Sequence, residues 1–118
     1  MFQIVFNDIS AAEMAQMPKG LQLEILSEFD GLPGKLEKPD GEQFGIMERD
    51  GKKIYRYRAQ EYRIYFEPSP DGIVIHRVLH KNSLKDFLYR TKLAAVEEDD
   101  ILQNSPKFWE MIHEGKKN

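Results

Sequence analysis

Lys52-Lys53-Ile54-Tyr55-Arg56-Tyr57-Arg58-Ala59-Gln60-Glu61-Tyr62-Arg63-Ile64-Tyr65-Phe66 alternates aromatic and basic side chains on both sides of a short polar break. Side chains along a strand change face at every residue. Arg56 and Arg58 therefore share one face of a first strand, and Tyr55 and Tyr57 share the other. In a second strand Arg63 and Tyr65 oppose Tyr62, Ile64 and Phe66. With Gln60-Glu61 as a tight turn, cross-strand pairing gathers three guanidinium groups on one side of the sheet. The aromatic side then faces a hydrophobic layer.

The neighbouring segments extend the hairpin. Upstream, Phe44 to Arg49 reads as a strand, and Asp50-Gly51 is a two-residue hairpin signal. Downstream, Pro68-Ser69-Pro70-Asp71-Gly72 is a turn. It leads into Ile73-Val74-Ile75-His76-Arg77-Val78-Leu79, an apolar run expected of a central strand buried on both faces. Four strands joined by short turns make an antiparallel meander.

Phe2 to Phe6 adds an N-terminal strand. Ser10 followed by Glu13 matches a capping box and predicts a helix start. Pro18 and Gly20 interrupt that helix, and a second begins near Pro18. In it Leu21, Ile25, Leu26, Phe29 and Leu32 form an apolar stripe. Residues 10–31 are thus a helical hairpin that needs a sheet to cover. Residues 33–43 are a polar connection. Asn82-Ser83 predicts a short helix through Leu84, Phe87, Leu88 and Arg90. Glu97 opens another to about Gln103, and Ser105-Pro106 a last one with Phe108, Trp109 and Ile112 as its apolar contacts. The fold class is α+β: an N-terminal strand and helical hairpin packed on an antiparallel four-stranded meander, with a C-terminal helical extension. The expected division is 1–91 as the main domain and 92–118 as an acidic extension.

Charge is segregated along the chain. Residues 51–92 hold ten basic and four acidic side chains, a net +6 in a chain of net −3. A sequence pI near 5.6 speaks against a general nucleic-acid coat. A locally basic face is still compatible with touching a few phosphates. The acidic flanks either form a solvated exterior or shield the basic face, and the tail from Glu97 is a candidate to pack on it. Asp99 and Asp100, adjacent on a helix, read as surface charge or as a match to the helix dipole. The absence of cysteine excludes a thiolate metal site and a thiol nucleophile. No apolar run approaches the roughly 20 residues of a membrane span, and Met1 to Phe6 lacks the features of a signal peptide, so a cytoplasmic location is expected. His76 and His80 fall on one face if the strand reaches residue 80, but two histidines alone are a weak metal site. His113 reads as a surface residue. No phosphate-binding glycine loop, serine-hydrolase elbow or zinc-protease motif is present.

Tyr55 to Phe66, followed by Val78-Leu79-His80-Lys81-Asn82, resembles the RelE/ParE superfamily of type II toxin–antitoxin toxins over residues 2 to about 90. The resemblance implies a RelE-like, ribosome-dependent mRNA endonuclease (an mRNA interferase that inhibits translation). In that chemistry the ribose 2′-oxygen attacks the adjacent phosphate without metal or other cofactor. Such a reaction needs a base, cations for the phosphorane and an acid for the leaving oxygen. Carried over, Arg63 is the phosphate clamp, Lys81 and His80 are catalytic, and Arg58 and Arg56 match basic positions on the preceding strand. Lys52, Lys53, Lys85, Arg90 and Tyr89 are the expected RNA-binding residues. Two positions depart from the pattern: the usual tyrosine near the end of the core falls on Phe87, and the usual strand lysine on Ile54. The alternative is a RelE/ParE-fold protein, weak or inactive as a nuclease, that acts by protein contact as a ParE-like gyrase inhibitor or an antitoxin-binding module. The implied partners are a cognate antitoxin, lying across the meander or displacing the C-terminal helix, and the ribosome with its mRNA. No membrane and no small-molecule cofactor is implied.

Overall fold

A computed structural model describes residues 3–30, 32, 41–85, 87–88 and 93–114. Five strands form one sheet: β1 (Gln3–Phe6), β2 (Phe44–Arg49), β3 (Lys52–Ala59), β4 (Tyr62–Ser69) and β5 (Gly72–His80), in the spatial order β1-β5-β4-β3-β2. β2 to β5 are the expected antiparallel meander, and β1 joins it parallel to β5 through Gln3↔Gly72 to Phe6↔Ile75. The N-terminal strand is thus a fifth member of the sheet rather than a separate layer element. Asp50 and Gly51 both have positive φ, 53° and 78°, as the tight β2–β3 turn requires.

Helices cover both faces. α1 (Asp8–Ala15) and α2 (Lys19–Phe29) lie on the aromatic face. Leu21, Ile25 and Phe29 are buried there with Tyr57, Ile64, Phe66, Ile73 and Ile75. Phe29 meets the Tyr57 ring edge-on at 5.1 Å and the Phe66 ring at 5.3 Å. Leu26 stays partly exposed, so the stripe is narrower than the sequence suggests. A second core fills the opposite face: Met47, Ile54, Tyr65, Leu79 and Leu84 pack on Leu102, Phe108, Trp109 and Ile112. Those last four come from α3 (Ala95–Gln103) and α4 (Pro106–Ile112). Burying each contributes roughly 1.5–3 kcal/mol, so α3 and α4 form a structural layer and not a loosely laid tail.

Several polar residues near the element ends take other roles than their local spacing implies. The N-cap of α1 is Asn7, which forms a capping box with Ser10, so the helix begins two residues before Ser10. Glu13 has a different task. β1 ends its pairing at Ile75, which leaves the next part of β5 as an open edge. The Ser10 hydroxyl donates to the Ile75 carbonyl at 2.8 Å, and Asn7 Nδ2 donates to that of His76 at 3.2 Å. The Glu13 carboxylate accepts from Val78 N at 2.9 Å and from Arg77 at 2.7–3.1 Å. Helix α1 therefore stands in for a missing strand, which closes an edge that would otherwise invite pairing with another chain. The expected helix after Asn82 is a short 3-10 turn, Lys81–Leu84, capped by His80 Nδ1 accepting from Asn82 N. Arg90, the end of that expectation, lies outside the described residues.

Removing the Glu13 carboxylate strands a buried edge N–H and leaves Arg77 with the Met111 carbonyl and Glu114. Glu13→Ala is expected to lower unfolding free energy by about 2–3 kcal/mol, from hydrogen bonds to charged groups, read as a shift in urea midpoint at constant slope. Glu13→Gln should recover part of it, because its carbonyl still accepts from Val78 N.

Candidate functional site

Pairing of β3 with β4 sets Arg58 directly opposite Arg63 and Arg56 opposite Tyr65. The three guanidinium groups therefore lie on one face, where period-two alternation puts them. They do not form an open basic surface. Two like charges directly across a ladder repel, and here an acidic helix occupies the space over them. α3 turns Ala95, Glu98, Asp99 and Leu102 inward, a stripe at positions i, i+3, i+4 and i+7.

Arg56 is fully enclosed, with 1% of its residue surface exposed. Its Nε donates to Asp99 Oδ1 at 3.0 Å and its Nη2 to Asp99 Oδ2 at 2.7 Å, a bidentate pair. Nη2 also donates to the Gly41 carbonyl at 3.0 Å, and Nη1 donates to the carbonyls of Glu42 and Gln43. A guanidinium has five N–H donors, and all five of Arg56 are spent inside the chain. Gly45 lies beneath this pair: a Cβ there would strike both Arg56 Nη2 and Asp99 Oδ2.

Glu98 serves the other two arginines. Its Oε1 accepts from Arg63 Nε at 3.0 Å, and its Oε2 accepts from Arg58 Nη2 at 2.8 Å and Arg63 Nη2 at 3.4 Å. Arg63 Nη1 donates to the carbonyls of Gln60 and Tyr62, so four of its five donors are used. Arg58 differs. Its side chain is 24% exposed, and among the described residues it makes, besides the Glu98 bond, only a long 3.4 Å bond to the Leu93 carbonyl. Three cations thus face two carboxylates, which leaves one positive charge, nearest to solvent at Arg58.

Burial acts on the acids and phenols beneath α3. Desolvation pushes the Asp99 carboxyl above its ordinary 3.8, and the hydrogen bonds and charge of Arg56 recover only part of that shift. The Tyr65 hydroxyl, fully buried among the arginine and carboxylate heads, is raised beyond the normal phenol range by desolvation and then by Asp99. It has no hydrogen-bond partner among the described residues. On the opposite face burial, with Glu28 and Glu24, pushes Tyr57 up to about 12, so it stays a neutral phenol that accepts from Gln43 Nε2 at 3.1 Å.

The remaining expected residues do not converge on the arginines. His80 is opposite Tyr62 in register and packs edge-on against its ring at 5.1 Å, on the face away from Arg63. His80 Nε2 and Lys81 Nζ each lie 3.1 Å from a Glu61 carboxylate oxygen. The hydrogen bond from Lys81, then that of His80, holds this exposed carboxyl below its ordinary 4.5. A bulge in β5 pairs Tyr65 with Arg77 and Phe66 with Ile75, which takes His76 out of step. His76 is consequently buried beside Glu67, 2.7 Å away, and near the His113 ring on the α4 side; the two strand histidines do not share a face. His113 is the C-cap of α4, stacked on Trp109, and not a simple surface residue. Lys52 and Lys53 begin β3, about 20 Å along the strand from Arg58. Lys52 lines a cleft of about 390 Å³ with Arg49, Trp109 and His113. Lys85 is exposed beyond the 3-10 turn, and Tyr89 and Arg90 lie outside the described residues. Phe87 and Ile54, where the resemblance would have a tyrosine and a lysine, both pack in the second core. Among the described residues no group of three histidines or acids could hold a metal ion, and no helix is long and apolar enough to cross a membrane.

No protein-family model matches the chain, and no curated protein matches it. Among solved structures it is similar to a chain of the RelB–RelE antitoxin–toxin complex from Methanococcus jannaschii, at 21% identity and a TM-score of 0.48. That superposition covers 71% of this chain and 98% of the other, a distant likeness between the two.

Two outcomes test the closed site. Gly45→Ala should wedge apart Arg56 and Asp99 and lower stability by about 1–3 kcal/mol, as overpacking does, whereas Tyr65→Phe should be neutral or stabilising because it removes an unsatisfied hydroxyl; thermal and urea unfolding read both. The sign for Asp99 follows from linkage. Its folded-state pKa is raised, so native protein takes up this proton before unfolded protein does as pH falls. Wild type should therefore gain stability relative to Asp99→Asn as pH drops through the folded-state pKa towards 3.8, and lose it as pH rises back.

Proposed function

We propose that this chain is a RelE/ParE-fold protein of the toxin–antitoxin type that acts by contact with a protein partner and, in its resting fold, does not cleave mRNA. The family component rests on the resemblance of residues 55–66 and 78–82, and on an α+β architecture that agrees with it. The choice between the two activities rests on one observation. Every donor of Arg56, and nearly all of the Arg63 head, is bound to Asp99, Glu98 or backbone carbonyls of the same molecule. A phosphorane would have to be stabilised by groups aimed at it and free to bind it.

The proton-transfer side leads the same way. His80 and Lys81 are turned to Glu61 rather than towards Arg63, and the Phe87 ring cannot exchange a proton. A cytoplasmic setting and a cognate antitoxin encoded beside this chain belong to the same proposal.

Added to a translating extract, the wild-type protein is expected to leave reporter transcripts without new 5′ ends at A-site codons. Co-expression with the product of the neighbouring open reading frame should give a stoichiometric complex. Codon-spaced cuts made by wild type and abolished by Arg63→Ala would overturn this reading in favour of the ribosome-dependent endonuclease.

A further inference from the structure

A second cross-strand pair of cations lies at the other end of β3. β2 pairs with β3 so that Arg49 stands directly opposite Lys52. Met47 and Ile54, two residues from them on the same strands, belong to the second core, so both cations project on the side of α4. Like charges across a ladder repel. Glu98 bridges Arg58 and Arg63 and relieves that repulsion. Among the described residues Arg49 meets one acid, Asp50, 3.7 Å from its Nε and 86% exposed, a contact that water screens. Among the same residues no ion pair includes Lys52 or Glu110, although both line one cleft with Arg49.

That cleft, of about 390 Å³, opens to solvent past Asp50, Lys52 and Glu110, all of them exposed. Its other wall is one side of α4 and its cap: Pro106, Trp109, Glu110 and His113 recur at i, i+3, i+4 and i+7. The Trp109 ring is fixed in advance, since its Nε1 donates to the Gln103 carbonyl at 3.0 Å and the His113 ring stacks on it at 6.0 Å. We infer that this cleft binds a free aromatic α-amino acid, with its carboxylate on Arg49 and Lys52, its ammonium on Glu110, and its ring against Pro106 and the small exposed part of Trp109.

The charges of the lining select a zwitterion. Arg49 and Lys52 are balanced by Asp50 and Glu110. A plain anion meets two carboxylates there and a plain cation meets two basic side chains, penalties that a zwitterion avoids. A carboxylate laid between Arg49 and Lys52 relieves their repulsion as Glu98 does for Arg58 and Arg63, and the arginine fork suits its two oxygens. A peptide terminus brings only one of the two charges, and a nucleic-acid phosphate brings no ammonium. Small-molecule clefts begin at about 300 Å³, so the space suits an aromatic amino acid. A ligand seated here touches both the β2–β3 turn and α4. It therefore ties the C-terminal layer to the sheet and stabilises the native state in proportion to its occupancy.

The inference goes beyond protein contact and does not depend on it. The chain has a single tryptophan, so indole fluorescence excited at the red edge of its absorption reports this cleft. Titration of the full-length protein with L-phenylalanine, which does not absorb there, should give a saturable change and a dose-dependent rise in melting temperature. Hydrocinnamate, which lacks the ammonium, and phenethylamine, which lacks the carboxylate, should each bind about tenfold or more weakly, as loss of a hydrogen bond to a charged group predicts. Lys52→Ala and Glu110→Gln, both at exposed positions, should melt like wild type without ligand and bind L-phenylalanine about tenfold less tightly. Lys53→Ala, on the opposite face of β3, should bind it like wild type. No saturable change up to the solubility limit of L-phenylalanine overturns the inference. Hydrocinnamate binding as tightly as the amino acid also overturns it, because the cleft would then read a plain anion. So does equal weakening by Lys53→Ala, which would mean that general surface charge holds the ligand. Each of these results leaves the protein-contact reading standing, and transcript cleavage by wild type would remove that reading without touching this one.

Discussion

The buried bidentate pair between Arg56 on β3 and Asp99 on α3 is the interaction on which the molecule's second face depends. A guanidinium that is 1% exposed would be prohibitively costly if any donor were unsatisfied. The chain meets that demand by bringing three consecutive carbonyls, Gly41 to Gln43, and one carboxylate around it. Gly45 leaves room for the pair, and Leu102, one turn further along the helix, places α3 in the second core. Once Asp99 is fixed, helix phase carries Glu98 to Arg58 and Arg63. The closed arginine face therefore follows from one anchored pair.

That closure changes what the sheet can do. Three arginines on one side of a small antiparallel sheet, taken alone, describe a phosphate site. With α3 in place they describe the polar centre of a core. Asp99 bears a desolvation penalty there that Arg56 only partly offsets. Networks of this kind stabilise less than their contacts suggest, because charges taken from water recover little more than their hydration. What they confer is specificity of docking: the helix has one register in which both carboxylates meet their arginines.

Period-two alternation made the sheet legible from sequence. The separation of Arg56, Arg58 and Arg63 from Tyr55, Tyr57 and Phe66 required nothing beyond strand geometry, and Asp50-Gly51 and Gln60-Glu61 marked the turns. The helical layers were legible where an apolar stripe was long, as in Leu21, Ile25 and Phe29. Errors arose where a tertiary partner decided the outcome. Glu13 looked like a capping residue and instead binds a strand edge 65 residues away. The β5 bulge, invisible in an uninterrupted apolar run, separates His76 from His80. Asp99 read as surface charge because four consecutive acids, Glu97 to Asp100, give no local sign of which two turn inward. The spacing Ala95–Glu98–Asp99–Leu102 did contain that signal, but it has meaning only once a cationic face 35 to 43 residues earlier is known to lie opposite.

The most direct measurement of the closed face is a nitrogen–proton correlation spectrum of the arginine side chains in the uniformly labelled wild-type protein, with assigned Nε–Hε resonances. The account predicts that the Hε protons of Arg56 and Arg63 are shifted downfield and exchange slowly with water, since each donates at 3.0 Å to a carboxylate beneath α3. Fast exchange at both sites, with shifts typical of a solvated guanidinium, would contradict it and restore an open arginine surface.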